Sequence, residues 1–338
     1  MTELLTEKKL FTKIMTAAIL LAIVASLCSF AGSRHISPAK ILDKDTLDHQ
    51  IFFQIRLPRI ILAAIVGAAL ACAGVVFQGL LRNPLADPYI LGVSSGAGLG
   101  VTIAVISGLS WSVYGRTPIS ACAFLGSIGT IWLVWLISRP AGRSSPTHLL
   151  LAGVIVNALF SAVIMFLVSI IKSQQVHSTI FWLMGNIAEE QPLILWLCGG
   201  LVTAAIIGVY FLSPQLNAIS FGQSDAKTMG IDTEKTQAAA FAMAAAMTAI
   251  AVSLSGLIGF VGLVIPHAIR MLFGSDHRQL VPLSAITGAA FLIVADTAAR
   301  IVVAPAQLPV GVITAIIGGP FFLILLIRNS RTLGWNMK

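Results

Sequence analysis

Charge is what this chain has least of. Of its 338 residues only 10% are Asp, Glu, Lys or Arg, against about 25% in an ordinary soluble domain. That shortage excludes a globular surface facing water on all sides. Cysteine is also sparse. Cys28, Cys72, Cys122 and Cys198 each lie inside an apolar run and form no C-x-x-C pair, which argues for packed thiols over a metal or redox site. The dipeptide Gly-Lys does not occur, so there is no G-x-x-x-x-G-K-[ST] nucleotide loop. H-E-x-x-H and G-x-S-x-G are missing too. His35, His49, His148, His177, His267 and His277 are scattered, and none is assigned to a metal or haem. No catalytic residue, metal site or cofactor is expected.

What fills the chain instead is apolar: 57% of residues are hydrophobic, in recurring stretches near or above the 18 residues that a membrane crossing needs. The fold class is therefore an all-α polytopic membrane protein, read as one transmembrane domain over 1–338. Spans are expected at about 11–32, 59–81, 90–108, 117–138, 147–171, 192–212, 235–256, 258–273, 280–300 and 309–328. The run 235–273 is nearly twice one crossing, and Gly256, Gly259, Gly262 and Pro266 offer a place to divide it. Residues 14–31 resemble a signal-peptide core. They are long enough to span and no A-x-A-like site follows, so a retained first helix is the reading.

The net charge is +8, but the bases sit at the ends of apolar runs, with no basic stripe or aromatic platform. They read as topology signals and give no support for nucleic-acid binding. Lys8, Lys9 and Lys13 at one end, and Arg328, Arg331 and Lys338 at the other, put both termini in the cytoplasm. That requires an even number of spans, and ten satisfies it. Alternation then places 82–89, 139–146, 213–234 and 274–279 inside, and 33–58, 109–116, 172–191 and 301–308 outside. No five-plus-five repeat is visible in the residues.

Three features interrupt the apolar pattern. The stretch GLLRNPLADPYILGVSSGAGLG (79–100) carries Arg82, Asn83 and Asp87, and the prolines at both ends of Leu85-Ala86-Asp87 forbid a continuous helix. Gly96-Ala-Gly98-Leu-Gly100 imitates a phosphate loop but has the wrong spacing, and close helix packing explains it better. Asp296 is the one intramembrane carboxylate, with Arg300 four residues on, and a local neutralised pair is expected.

The long inner connection LSPQLNAISFGQSDAKTMGIDTEKT (212–236) predicts two short helices. Ser213-Pro214 has the form of an N-cap with proline after it, Gly222 ends the first, and Ser224–Met229 forms the second before Gly230. Leu216, Ile219, Phe221, Ala226 and Met229 give this knob some apolar surface. By itself it reads equally as an amphipathic connector on the membrane or as a plug for a cytoplasmic partner.

RLPR (56–59), NPLADPYILGVSSGA (83–97), LLLAG (149–153), FGQSDAKTMGI (221–231), SGLIGFVGLVIPHAIR (255–270) and LPVGVITAIIGGPFF (308–322) occur in order. In this the chain resembles the FecCD-type permeases of bacterial ABC importers for iron–siderophores, haem and vitamin B12, over nearly its whole length. The resemblance implies a ten-helix, B12-permease-like (type II) subunit in the bacterial cytoplasmic membrane. It would pair with a second copy or a close paralogue, and two cytoplasmic ATPase subunits and an extracytoplasmic binding protein would serve the pair.

The family's coupling helices fall on about 213–231, which implies ATPase contact at Phe221, Gly222, Ser224, Ala226, Lys227, Met229 and Gly230. Its cytoplasmic gate falls on Asn83 and Leu85, facing Pro146 and Thr147 at the start of span five. Leu85 would be the apolar plug. Arg56, Arg59 and Arg300 are implied to receive acidic residues of the binding protein on the outer face. Two cations at the start of span two are badly placed against the helix dipole, so lipid headgroups alone explain Arg56 and Arg59 poorly. The cargo expected first is an iron–siderophore, then haem or a corrinoid, and molybdate less readily. A secondary transporter is the rival from another class, but it would need midplane ion-coordinating groups that this chain scarcely has.

Overall fold

A computed structural model describes residues 7–32, 34, 36–109, 117–138, 146–188 and 190–332. The described elements are helices in the order α1 (Glu7–Phe30), α2 (Pro38–Ile41), α3 (Leu47–Gln50), α4 (Leu57–Leu80), α5 (Val93–Ile106), α6 (Thr117–Ile137), α7 (Pro146–Ile170), α8 (Ser173–Leu183), α9 (Pro192–Phe211), α10 (Ser213–Phe221), α11 (Gln223–Thr228), α12 (Thr233–Ser255), α13 (Val261–Phe273), α14 (His277–Ile301) and α15 (Val310–Thr332). Seven of these stretches are long and apolar enough to cross a membrane, and three shorter apolar ones lie over Val93–Ile106, Val261–Phe273 and Val310–Ile324. Together they match the ten expected spans.

The bundle is organised around α4, a helix made almost entirely of small and apolar residues. It is buried from Ile60 to Gln78 on nearly every face, and α14, α12, α13 and α9 pack around it. Lipid is as apolar as a leucine side chain, so association here depends on close backbone approach and not on water exclusion. Glycines supply that approach. A methyl group at Gly74 would run into the carbonyl of Gly262, and one at Gly67 into the carbonyl of Gly288. Gly96 and Gly100 do the same for α5 against Gly126 and Cys122 of α6, which is the packing role expected of that glycine run. The outer helices keep large apolar side chains exposed, such as Leu159, Met165 and Phe166 on α7 and Trp196 and Leu197 on α9.

The division of 235–273 is present, with a different physical cause. The chain leaves α12 at Gly256 (φ 68°) and re-enters helix after Phe260 (φ 70°), while Gly262 and Pro266 lie inside α13. Unwound backbone within an apolar bundle must find partners in the protein. Here Asn186 N–H donates to Ser255 O at 2.7 Å, and Ile258 N–H donates to the Tyr89 hydroxyl at 3.0 Å.

Two further expectations change. Span two does not begin at Pro58: Thr46 caps α3 by accepting from His49 N–H, and a π-helical segment Ile51–Arg56 joins it to α4 without a break. Arg56 and Arg59 are thus interior to a long helix, and the dipole argument against them loses its basis. Ser213 does not cap α10 either. It sits inside the helix, and its hydroxyl donates back to Val209 O at 3.4 Å. The connection 172–191 holds a helix, α8, whose Thr179 and Trp182 are buried.

Candidate functional site

Two short helices, a turn and a helix corner meet at one end of the bundle. α10 and α11 are the two helices expected between 213 and 230, with Gly222 extended between them (φ 175°) and Gly230 left-handed (φ 82°) after them. Leu216 and Ile219 turn inward, 2% exposed each. Phe221 and Met229 stand out at 88% and 71%, with Ser224 and Lys227 exposed beside them. Ala226 is completely buried. It holds the knob together from inside and offers no surface to a partner.

The turn after α4 is built by its own side chains. Asn83 Oδ1 accepts from Leu85 N–H at 2.9 Å, and Asp87 Oδ1 accepts from Tyr89 N–H at 2.8 Å. These are Asx turns, the reason such residues favour tight bends. Leu85 is 40% exposed at the tip. Asp87 keeps some accessible surface yet lies deep in the packed neck, and burial there pushes its carboxyl up to about 6 against the pull of the Tyr89 N–H. The side chains of Pro146 and Thr147 lie outside the described part, as does Ser145. Only the start of α7 at residue 146 can be placed.

Side chains outside the expected site residues lock the turn and the knob together. Arg82, itself left-handed (φ 48°), donates to Ile219 O at 3.0 Å. Asn217 of α10 accepts from His277 N–H at 2.9 Å and donates to Asp276 Oδ1 at 2.7 Å. Asp276 caps α14 by accepting from Arg278 N–H and also pairs with the Arg278 guanidinium at 2.7 Å. Burial works against a charged Asp276, but the hydrogen bonds from Arg278 and Asn217 prevail and hold its carboxyl below the usual range. An Asp just before an apolar helix is a readable cap signal; its partner on α10 is not readable.

The opposite end carries the three singled-out arginines. Arg56 is 5% exposed, and its guanidinium donates to the carbonyls of Ser29, Phe30 and Arg34 at 2.5–3.0 Å, closing the end of α1. Arg59 grips Asp296 through Nε and a terminal nitrogen at 2.9–3.1 Å and reaches Gln307 at 3.2 Å. Arg300 Nε lies 3.2 Å from Asp296 Oδ2, an ion pair without hydrogen-bond alignment. The expected Asp296–Arg300 pair is therefore present, with Arg59 as a third member. Each of these three guanidinium groups is engaged within the chain, Arg59 and Arg300 on one shared carboxylate.

An all-α bundle with seven helices long and apolar enough to cross a membrane, and three shorter apolar ones beside them, defines this chain as a polytopic integral membrane protein. The profile of the FecCD transport family matches residues 18–328, and the chain belongs to that family of transport permeases. It is 39% identical over 321 residues to the hemin transport system permease protein HmuU of Yersinia pestis, covering 93% of this chain and 94% of that one. It is 44% identical over 280 residues to the cobalamin import system permease protein BtuC of Halobacterium salinarum, covering 80% and 72%. Among solved structures it superposes on an inward-facing metal-chelate type ABC transporter with a TM-score of 0.84 at 34% identity, over 94% of this chain and 99% of that one. The chain is thus the permease component of an ABC importer, in which ATP hydrolysis belongs to a separate subunit.

Proposed function

We propose that this chain forms one half of the pathway by which a metal chelate enters the cell across the cytoplasmic membrane. A second copy or a close paralogue would supply the other half. Two ATPase subunits would dock on α10 and α11, and a binding protein would deliver cargo at the opposite face. One observation carries the ATPase assignment: Phe221 and Met229 project from a knob that Arg82 and Asn217 tie to the gate turn and to the α13–α14 corner. A push on the knob therefore reaches the turn that bears Asn83 and Leu85. The parity of ten spans and the basic residues Lys8, Lys9 and Lys13 support both termini on the ATPase side.

For cargo, relatives named for hemin and cobalamin support a tetrapyrrole-type metal chelate. An iron–siderophore, the first expectation from the sequence, is the second reading within the same class. On the outer face the docking role falls to Arg59 and Arg300, which share one carboxylate and leave a net positive charge. Such a contact acts mainly on association rate and orientation. Arg56 becomes a positioning residue for α1.

The test is reconstitution in proteoliposomes with the cognate ATPase and binding protein, followed by ATP-dependent uptake of haem, a corrinoid and a ferric siderophore. Uptake of one of the three supports the reading and selects the cargo. A permease that never co-isolates with an ATPase would sink it.

A further inference from the structure

A cavity of about 570 Å³ opens at the knob end, between the end of α4, the second half of α10 and the α13–α14 corner. Three arginines line it, Arg82, Arg270 and Arg278, against one carboxylate, Asp276, a net charge of +2 with His277 neutral. That carboxylate has no capacity left, since it accepts from Asn217 at 2.7 Å, from Arg278 N–H at 3.0 Å and from the Arg278 guanidinium at 2.7 Å. Arg82 donates only one terminal nitrogen, to Ile219 O. The Arg270 guanidinium makes no hydrogen bond or ion pair among the described residues.

His277 adds an independent sign. It is 3% exposed, and its Nδ1 lies 2.7 Å from Asn217 Oδ1. Because the Asn217 amide nitrogen is committed to Asp276, its oxygen faces the imidazole, and Nδ1 is the nitrogen that carries the proton. Nε2 is buried beside Gly79, another lining residue, with no hydrogen-bond partner. A buried polar atom without a partner is costly, and so is a desolvated cation without a counter-charge.

We propose that this cavity is a binding site for a phosphate-bearing anion, with Arg270 as its principal ligand, Arg82 as the second cation, and the unprotonated Nε2 of His277 accepting from a hydroxyl of the ligand. Guanidinium forks match phosphate oxygens two at a time, and an anion offsets the net positive charge of the lining. A metal cation would be repelled, and a neutral ligand would leave Arg270 unpaired. The bound anion would join the gate turn through Arg82 to α13 through Arg270, beside Ser220 and Phe221 of the knob. Occupancy would resist relative movement of these three elements. Free phosphate and the phosphatidylglycerol headgroup each bring anionic phosphate oxygens for the guanidinium groups and a hydroxyl for Nε2.

The experiment uses the full-length permease. In detergent, inorganic phosphate replaces chloride at constant ionic strength, and broadening of the phosphorus-31 resonance reports binding. Saturable binding is expected in the wild type, weakened at least tenfold in Arg270→Gln and less severely in Arg82→Gln. Circular dichroism checks that each variant is helical, and the exposed Arg82 decides the matter where Arg270→Gln does not fold. In parallel, nanodiscs of phosphatidylglycerol or phosphatidylcholine are dissolved and the protein is weighed by native mass spectrometry. A phosphatidylglycerol molecule retained by the wild type and lost from the variants assigns the site to lipid; saturable phosphate binding without retained lipid assigns it to the free anion. Neither signal in the wild type, or equal binding in both variants, overturns the proposal. Displacement of the anion by a stoichiometric ATPase subunit also overturns it, and gives the arginines to acidic side chains of that partner.

Discussion

Arg59 and Asp296 stand 237 positions apart in the chain and meet at 2.9 Å, joining α4 to α14 at the end of the bundle away from the knob. Asp296 is 1% exposed and serves Arg300 as well. One carboxylate between two guanidinium groups makes this a clamp across helices as well as a pair along one helix. Its removal leaves two cations with no counter-charge in a site that water barely reaches.

Asp296→Asn should therefore cost more than loss of either arginine alone. Breaking a buried ion pair by deleting one partner costs about 3–5 kcal/mol. Thermal unfolding in detergent should show the largest drop for Asp296→Asn and a smaller one for Arg300→Gln. The reverse order would mean that the carboxylate is not the hub.

On the knob, a charge should act according to which way its side chain faces. Met229→Glu places a carboxylate on an exposed apolar patch and should lower ATPase pull-down several-fold with helicity unchanged. Ala226→Glu puts the same group into a fully buried position and should loosen α10 and α11 themselves. Limited proteolysis between 213 and 231 separates the two outcomes.

Shortening the tip of the proposed gate turn should make the empty transporter leak. Leu85→Ala removes most of the exposed apolar bulk there while leaving the Asn83 Oδ1 bond to the backbone in place. Proteoliposomes carrying the variant should lose an entrapped small dye faster than wild type; equal retention removes Leu85 from the gate.

Close approach of α4 and α13 should not tolerate a methyl group. Gly74→Ala directs its Cβ at the carbonyl of Gly262, and backbone cannot rotate aside as a side chain can. Overpacking of this kind costs about 1–3 kcal/mol. The unfolding midpoint should fall accordingly, whereas Gly200→Ala, which meets open space, should leave it unchanged.

The pH profile of stability should carry the signature of Asp87. Its carboxyl is raised to about 6 in the folded chain, against about 3.9 when unfolded. The folded state then holds the proton more tightly, so this contribution is full below about pH 4 and is lost as pH rises through 6. Asp87→Asn can still accept from Tyr89 N–H and should flatten the profile between those values. Denaturation midpoints at pH 4.5, 6 and 7.5 measure the slope.

Much of this was legible in the residues because apolar length is a local property. The spans and the pair of short helices after α9 follow from run length and glycine, and Gly256 marks the division of 235–273, although Gly262 and Pro266 lie inside α13. The readings that changed depended on neighbours outside the local window. Pro58 and Ser213-Pro214 carry good helix-start signals, yet Pro58 lies where a preceding helix runs on, and at the second site Leu212 takes the cap position with Ser213 already inside α10. Ala226 read as surface because its sequence neighbours are polar, but burial is decided by what packs over a position.

By itself the sequence determined the solvent, the helical class and the places of the apolar helices, since each of these follows from composition or from backbone hydrogen bonds closed within one segment. Only the tertiary structure decided which charges are partnered. Arg56 closes α1, Arg59 joins Asp296 to Arg300, Asn217 binds the α14 cap, and Arg270 faces a cavity with no partner among the described residues. These contacts join segments far apart in the chain. Their energies depend on distance and burial, which exist only once the helices are packed.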